Sequence, residues 1–428
     1  MKKGEKEFVI TLKKEPDREF VILNLTDLHN QQPKKRDTII GTVTKLVERV
    51  KPDLITISGD FTDADREGAD KEYEDIMSFL DGFQIPWAPI WGNHDNGEMA
   101  ERYVTHKKYC LYEKGDPVFG HGNYIICIKE NDKPVEAVFM LDSHRSKLRP
   151  EQIAWYHERV QELKGMGCKD TTMILHIPIY AYRQAFAEAF NGNWERKNAT
   201  HEMFQQEGCW KEEYQESTGA QLEDTCCCGE DDGVLDAVLE AGTTKTIIAG
   251  HDHINNWIIH YKGIRLVYAL KTGAGVSWAH GMNGGTVIKV NSEGVSEVYH
   301  EYVKAKEIKE KCALFFDIDS SMLSEKEEFL WEKTLKVLEI AKENGHLLFY
   351  YTEKSWRAVP EMIRNIPFDG FICGAEIRYC GEVICENITD RESARDFISK
   401  MVGIPTERCY IFEDIQKLGK ELYEYAFI

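Results

Sequence analysis

Five short segments carry side chains able to hold metal ions and move protons: TDLH (26–29), GDFTD (59–63), GNHD (92–95), HIP (176–178) and GHDH (250–253). Two divalent cations about 3.5 to 4 Å apart need one bridging carboxylate and several terminal ligands of mixed nitrogen and oxygen type. The set supplies them. Asp27, His29 and His253 are expected around one metal, Asn93, His176 and His251 around the other, and Asp60 between the two. His94 is left without a metal, free to stabilise a transition state or protonate a leaving alkoxide, and Asp95 beside it is expected to orient the imidazole. Imidazole and carboxylate ligands suit Mn, Fe or Zn. Two dications against two carboxylates leave a positive excess, even with a bridging hydroxide. Such a centre attracts phosphate and lowers the pKa of bound water toward ~7, giving a hydroxide nucleophile for attack on phosphorus.

Each segment directly follows a stretch that reads as a buried strand: FVILNL (20–25), DLITIS (53–58), IPWAPIW (85–91), TTMILHIP (171–178) and KTIIAG (245–250). Amphipathic helices are predicted at TIIGTVTKLVERV and EYEDIMSFLDGF, so the pattern is layered α/β. In open α/β sheets, side chains beyond the carboxyl ends of strands converge from distant parts of the sequence. A glycine before Asp60, Asn93 and His251 fits a tight exit from each strand. Further strands are predicted at YIICIKE and VEAVFMLDS. WIIHYKG, GIRLVYAL, GTVIKV and VSEVYHEY, with no helices between them, predict a partly antiparallel second sheet. The polar, aperiodic stretch 181–232 reads as an insertion near the site mouth.

Taken in order, D-x-H, GDxxD, GNHD, H-x-P and GHxH resemble the calcineurin-like metallophosphoesterase family, over roughly residues 19 to 303. The resemblance implies a four-layer αββα sandwich, two metals and the ligand roles above. GHDHINN with the downstream KTGAG is similar to a purple-acid-phosphatase-like subgroup. Asp63 stands where true purple acid phosphatases carry tyrosine, and His29 has no counterpart in them. Asp63 is expected to cap the next helix or brace the loop, and Asp252 to point away from the metals. HGNY (121–124) and SHR (143–145) are candidates to reach substrate, with Arg145 either a phosphate contact or a surface charge. Trp155 and Tyr156 read as core.

A charged joint near 301–311 precedes a fresh strand, CALFFDID, so residues 1–306 and 307–428 are expected to be separate domains. FFDIDSSML (315–323), LLFYYTEKS (347–355), FDGFICGAEIRYCGEVI (368–384) and GIPTERCYIFED (403–414) resemble the Cof-like branch of the haloacid dehalogenase superfamily. That implies a smaller Rossmann-like α/β domain, with Asp317 as nucleophile, Asp319 as acid and base, Thr352 on phosphate, Arg391 in the place of the usual lysine, and Asp414 on Mg. The motifs are eroded: DxDGT reads DIDSS, the second aspartate of the fourth motif is missing, and the span leaves no room for a cap. A scaffold role is favoured over catalysis.

A formal charge of −20 over 428 residues disfavours nonspecific binding to nucleic acid or anionic membrane. No stretch approaches ~18 apolar residues, and the first residues lack a signal-peptide core. The expectation is a cytoplasmic protein with reduced thiols, the Cys226–Cys228 run included, despite 12 cysteines. Its expected partner is a small phosphorylated substrate, a monoester before a diester. The oligomeric state is left open.

Overall fold

The computed structural model describes residues 9–30, 33–274, 279, 281–308, 310–317, 328–359, 361–366, 368–388 and 390–412. The chain divides into two compact units, Met1–Val303 and Lys304–Ile428.

In the first unit, seven described strands form one sheet. In spatial order they are β1 (Val9–Lys13), β5 (Tyr124–Glu130), β6 (Lys133–Met140), β7 (Thr171–Leu175), β8 (Thr244–Ala249), β10 (Ile264–Tyr268) and β9 (Ile258–Tyr261). Five more form a second sheet: β12 (Gly294–Tyr302), β11 (Gly284–Asn291), β2 (Phe20–Leu25), β3 (Leu54–Ser58) and β4 (Trp87–Ile90). Their facing sides share one apolar core, in which Ile22, Leu54, Ala88 and Ile288 meet Ile126, Val138, Ile174 and Ile248. Alternation along each strand sends the other residues outward. Behind the seven-stranded sheet, Trp155, Tyr156, Val160, Tyr182, Phe186 and Val238 bury the apolar faces of helices Pro150–Gly165, Ala181–Ala189 and Val234–Ala241. Behind the five-stranded sheet, helices Pro33–Val50 and Ala69–Gly82 bury Ile39, Val43, Leu46, Tyr73, Ile76 and Leu80. The result is a four-layer αββα sandwich.

The late strands do not form a sheet of their own. β9 and β10 extend the first sheet, β10 running parallel to β8 and antiparallel to β9. The β11–β12 hairpin instead pairs antiparallel with β2. Both choices bury apolar strand faces against a sheet that already exists, which a separate sheet of four strands could not do. β1 was not anticipated, because an edge strand of five residues flanked by charges carries little periodic signal. The polar stretch after residue 180 is more structured than its composition suggests. It opens with a helix, and Phe186, Phe190, Phe204 and Trp210 pack into the core of the outer layer.

His300 on β12 gives the fold a pH dependence. Its Nε2 lies 2.9 Å from the carbonyl of Asn256 and its Nδ1 3.1 Å from the Thr286 hydroxyl. A carbonyl only accepts, so Nε2 carries the proton and the neutral ring fits. Burial pushes the imidazole down to about 4, the Asn256 carbonyl opposing the shift. The unfolded chain therefore binds this proton first as pH falls, and the His300 contribution is lost between about 6.5 and about 4. Urea unfolding of the full chain between pH 7.5 and 4.5 is expected to show a steeper acid loss for wild type than for His300→Gln. Equal slopes would mean that the ring charges without cost.

The second unit is a single described sheet: β17 (Glu382–Glu386), β16 (Glu376–Tyr379), β15 (Gly370–Cys373), β14 (Leu347–Thr352), β13 (Ala313–Asp317) and β18 (Cys409–Phe412). β15, β14, β13 and β18 are parallel and the β16–β17 hairpin is antiparallel. Helices Glu328–Glu343 and Arg391–Val402 belong to the same unit, a Rossmann-like arrangement.

Candidate metal centre

The turns after β2, β3, β4, β7 and β8 meet at one end of the sandwich. Asp27, His29, Asp60 and His253, all buried, bring ligand-capable atoms within 4.8 Å of one another. His29 Nε2 lies 3.2 Å from His253 Nε2 and 3.5 Å from Asp60 Oδ2, and His253 Nε2 lies 3.2 Å from Asp27 Oδ1. On the other side of Asp60, His176 Nε2 stands 3.4 Å from the same Oδ2 and 2.9 Å from Asn93 Oδ1. The His251 ring packs edge-on against His176 at 5.1 Å between centroids. The seven residues read as ligands thus lie in one cluster, three on each side of Asp60.

The backbone bends hard to achieve this. Asp27, His29, Asp60 and His251 all have positive φ (52°, 46°, 56° and 75°), a region costly for side chains with a Cβ and concentrated at functional sites. Glycine makes room where two turns touch: a Cβ on Gly92 would press on Asp60 Oδ1 and lie 2.5 Å from the Asp60 amide nitrogen.

Each carboxylate is held by one oxygen and presents the other. Asp60 Oδ1 accepts the His94 amide at 2.9 Å; Asp27 Oδ2 accepts the Thr26 hydroxyl at 2.8 Å and the His251 amide at 3.1 Å. Asp60 Oδ2 and Asp27 Oδ1 are buried without a hydrogen-bond donor. Buried oxygens left this way normally cost free energy, unless a cation takes the place of the donor. Burial, with Lys271 adding to it, drives the His29 imidazole well below its ordinary range, and burial with His176 lowers His251 to about 4. Both rings are therefore neutral at pH 7 and offer lone pairs. Burial acts against both members of the Asp60–His176 pair, yet their attraction wins: Asp60 is held well below the carboxylate range and His176 is pushed up to about 10. A cation at this place competes with that proton. His176 Nδ1 faces the Ser58 carbonyl at 2.8 Å, which fixes the ring. The donor set, two carboxylates, four imidazoles and an amide oxygen, fits two divalent metals.

Asp95 does not orient His94. Its buried carboxylate accepts the amides of Phe61 (3.0 Å), Thr62 (3.4 Å) and Gly92 (2.9 Å) and the Tyr73 hydroxyl (2.8 Å), so it clamps the Asp60 turn to the Asn93 turn. Asp63 faces His94 instead, with Oδ1 3.9 Å from Nδ1. Nor does Asp63 cap the next helix, which begins after Gly68 without a side-chain cap. His94 itself is 42% exposed in its side chain and stands edge-on to His29 at 5.2 Å.

Asp252 is bonded outside the seven-residue cluster, accepting the Tyr268 hydroxyl (2.5 Å) and the Cys226 amide (3.1 Å), although one of its oxygens lies within 4.8 Å of a His251 ring nitrogen and of Cys226 Sγ. That amide brings the end of the 181–232 stretch to the GHDH turn. Lys271, within KTGAG, has no role legible from the sequence. Lys271 is buried and its ammonium reaches the Asp27 carbonyl at 3.3 Å. His121 and His144 are tied by Glu101 (2.8 Å) and Gln152 (2.9 Å), and Arg145 is exposed.

In the second unit Asp317 ends β13 and its carboxylate is bonded by Arg391, whose guanidinium lies over the Tyr351 ring at 4.6 Å. Thr352 is buried, and its hydroxyl accepts the Lys354 amide at 3.1 Å. Asp319 and Asp414 lie outside the described residues.

Residues 314–418 match a haloacid dehalogenase-like hydrolase model. The phosphatase DCR2 of Saccharomyces cerevisiae is 25% identical over 282 residues, 56% of this chain and 45% of that protein, so the chain spans less than half of this relative's length. An Arabidopsis thaliana protein named probable inactive purple acid phosphatase 29 is 24% identical over 58% of this chain and 71% of its own. Among solved structures, a dimetal phosphatase from Danio rerio aligns over 67% of this chain and 99% of its own, with 11% identity and a TM-score of 0.46. Residues 20–255, which carry all five turns, match the model of the calcineurin-like phosphoesterases, and the chain belongs to that family.

Proposed function

We propose that the first unit hydrolyses small phosphate monoesters at a two-metal centre, and that the second unit is not catalytic. Asp27, His29 and His253 would hold one metal and Asn93, His176 and His251 the other, with Asp60 shared between them. One observation carries this reading: Asp60 Oδ2, buried and without a donor, sits 3.5 Å from His29 Nε2 and 3.4 Å from His176 Nε2. When bound, two divalent cations polarise the phosphoryl oxygens and acidify water enough for attack near neutral pH.

The chain's own groups do the rest. The Asp95 clamp keeps the Asp60 and Asn93 turns in register, and Ser58 fixes the His176 ring. His94, with Asp63 beside one ring nitrogen, turns its imidazole to solvent where a leaving oxygen can take a proton. His94→Asn is therefore expected to slow an alkyl phosphate by about 10²- to 10³-fold and p-nitrophenyl phosphate much less, because nitrophenolate leaves without a proton. Equal losses on both substrates would remove the acid role.

The test of the whole reading is turnover of p-nitrophenyl phosphate and of its bis ester by protein loaded with Mn, Zn or Fe, alongside metal analysis. Faster diester cleavage reverses the substrate order. Fewer than about one metal per chain after reconstitution argues for a retired fold. For the second unit, the Asp317 carboxylate is already engaged by Arg391, which supports a scaffold role. Asp317→Asn is expected to leave activity over a panel of phosphate esters unchanged, and selective loss of one ester would make the protein bifunctional.

A further inference from the structure

Far from the centre, the same sandwich buries a second acidic group. β6 and β7 are parallel, with Ala137 beside Thr171 and Val138 beside Thr172. One residue earlier, the same register sets Glu136 beside Asp170. Both then share one face, with side-chain origins about 5 Å apart. Thr172 is two residues on from Asp170 and so on that face as well. It is the inner face, since Val138 and Ile174 of the same alternation lie in the core between the sheets.

None of this resembles an ordinary apolar core. Glu136 is fully buried, Asp170 is 9% exposed and Thr172 1%. No donor reaches either carboxylate oxygen of Glu136 or Oδ1 of Asp170 at hydrogen-bond distance, nor does the Thr172 hydroxyl find a partner at that distance; the Thr172 hydroxyl and the Thr172 and Ala137 amides act on Glu136, and the Thr171 amide on Asp170, only at longer range. Asp170 Oδ2 crosses to the opposite sheet, accepting the Val295 amide at 2.9 Å, and at Gly294 (φ 121°) a Cβ would collide with that oxygen. The basic neighbours do not close the gap. Arg265 spends a guanidinium nitrogen on the Thr246 hydroxyl at 3.3 Å and Lys245 is exposed at its strand position. Oxygens from two carboxylates and a hydroxyl, none with a close hydrogen-bond partner, form a hard-cation ligand set.

We propose that Glu136, Asp170 and Thr172 hold one divalent cation of the Ca²⁺ class, a structural site tying the adjoining strands β6 and β7 to the β11–β12 hairpin of the opposite sheet. From Asp170 to His176, β7 rises about 20 Å, so the site lies at the opposite end of the sandwich from the catalytic turns. Its flexible demand for six to eight oxygens suits Ca²⁺ better than the strict octahedron of Mg²⁺, with carbonyls and water completing the shell. Burial, and after it the neighbouring Asp170, holds the Glu136 carboxyl well above the ordinary range, against the pull of the Thr172 hydroxyl and the Thr172 and Ala137 amides. The inference does not depend on the phosphoesterase reading.

The experiment uses the full chain with its first-unit metals loaded as Mn. Ca²⁺ titration by calorimetry and thermal unfolding is expected to show one additional equivalent per chain and a midpoint rise of about 5 °C at saturation. Glu136→Gln and Asp170→Asn are each expected to lose that equivalent and the rise while keeping phosphatase turnover. Terbium luminescence, quenched by Ca²⁺ in wild type and absent in both variants, reads the site without reference to activity. If neither Ca²⁺ nor Mg²⁺ shifts wild type more than the variants, or Glu136→Gln alone is more stable than wild type, the group is a buried neutral carboxyl and the proposal falls. Should Glu136→Gln fail to fold, Thr172→Val serves in its place, with weaker Ca²⁺ affinity as the expected result and unchanged affinity as the overturning one.

Discussion

Asp60→Asn is expected to empty the centre and stop catalysis. The substitution keeps shape but puts a neutral amide where two imidazoles converge on one oxygen. An amide oxygen bridges two dications poorly, and if its nitrogen takes the inner position it points hydrogens at the metals. Metal content after dialysis should drop from two per chain to at most one, and turnover of p-nitrophenyl phosphate by about 10⁴-fold or more, roughly 5 kcal/mol of transition-state stabilisation. The fold should survive, because Asp60 Oδ1 accepts only the His94 amide and the sandwich core is remote. A variant that keeps two metals per chain and loses less than tenfold in rate would mean that another group bridges.

Asp95→Ala is expected to have the second largest effect, by a different route. Three backbone amides and the Tyr73 hydroxyl converge on one buried carboxylate, and truncation leaves them unsatisfied. The expected stability loss is about 3 to 5 kcal/mol. Because the clamp joins the Asp60 turn to the Asn93 turn, the two halves of the metal cluster also lose their mutual placement. A shift near 1 Å costs about 10²-fold in rate, so kcat should fall about 10²- to 10³-fold with metal affinity weakened. Urea unfolding and metal titration, run together, measure both. If Asp95 acted on His94, the loss would be confined to poor leaving groups and stability would stay intact; that pattern would overturn the clamp.

The contrast between these residues explains what could be read from the chain and what could not. Ligands such as Asp27, Asp60 and His251 are legible because each follows an apolar strand directly, and strand ends in such sheets converge. Asp95 sits in the same motif but acts on backbone amides of another turn, and no residue type advertises an amide. Asp63 and His94 meet only because Ala64 bonds the His94 carbonyl at 2.9 Å, again a backbone matter. The layered α/β pattern followed from periodicity, whereas the allocation of β9 through β12 between two sheets depended on which edges lay open. The Glu136–Asp170 pairing left no local trace, since register alone brings the two together.

The order of the motifs bears on how the protein is made. The turn that carries Asp27 and His29 is synthesised before the other four, yet β2 waits for β11 on one side, and the Thr26 amide takes its acceptor from Thr272. The five-stranded sheet is therefore incomplete until residues near 290 have been synthesised. The seven side chains of the cluster thus reach their final places well after the first ligand turn has been made.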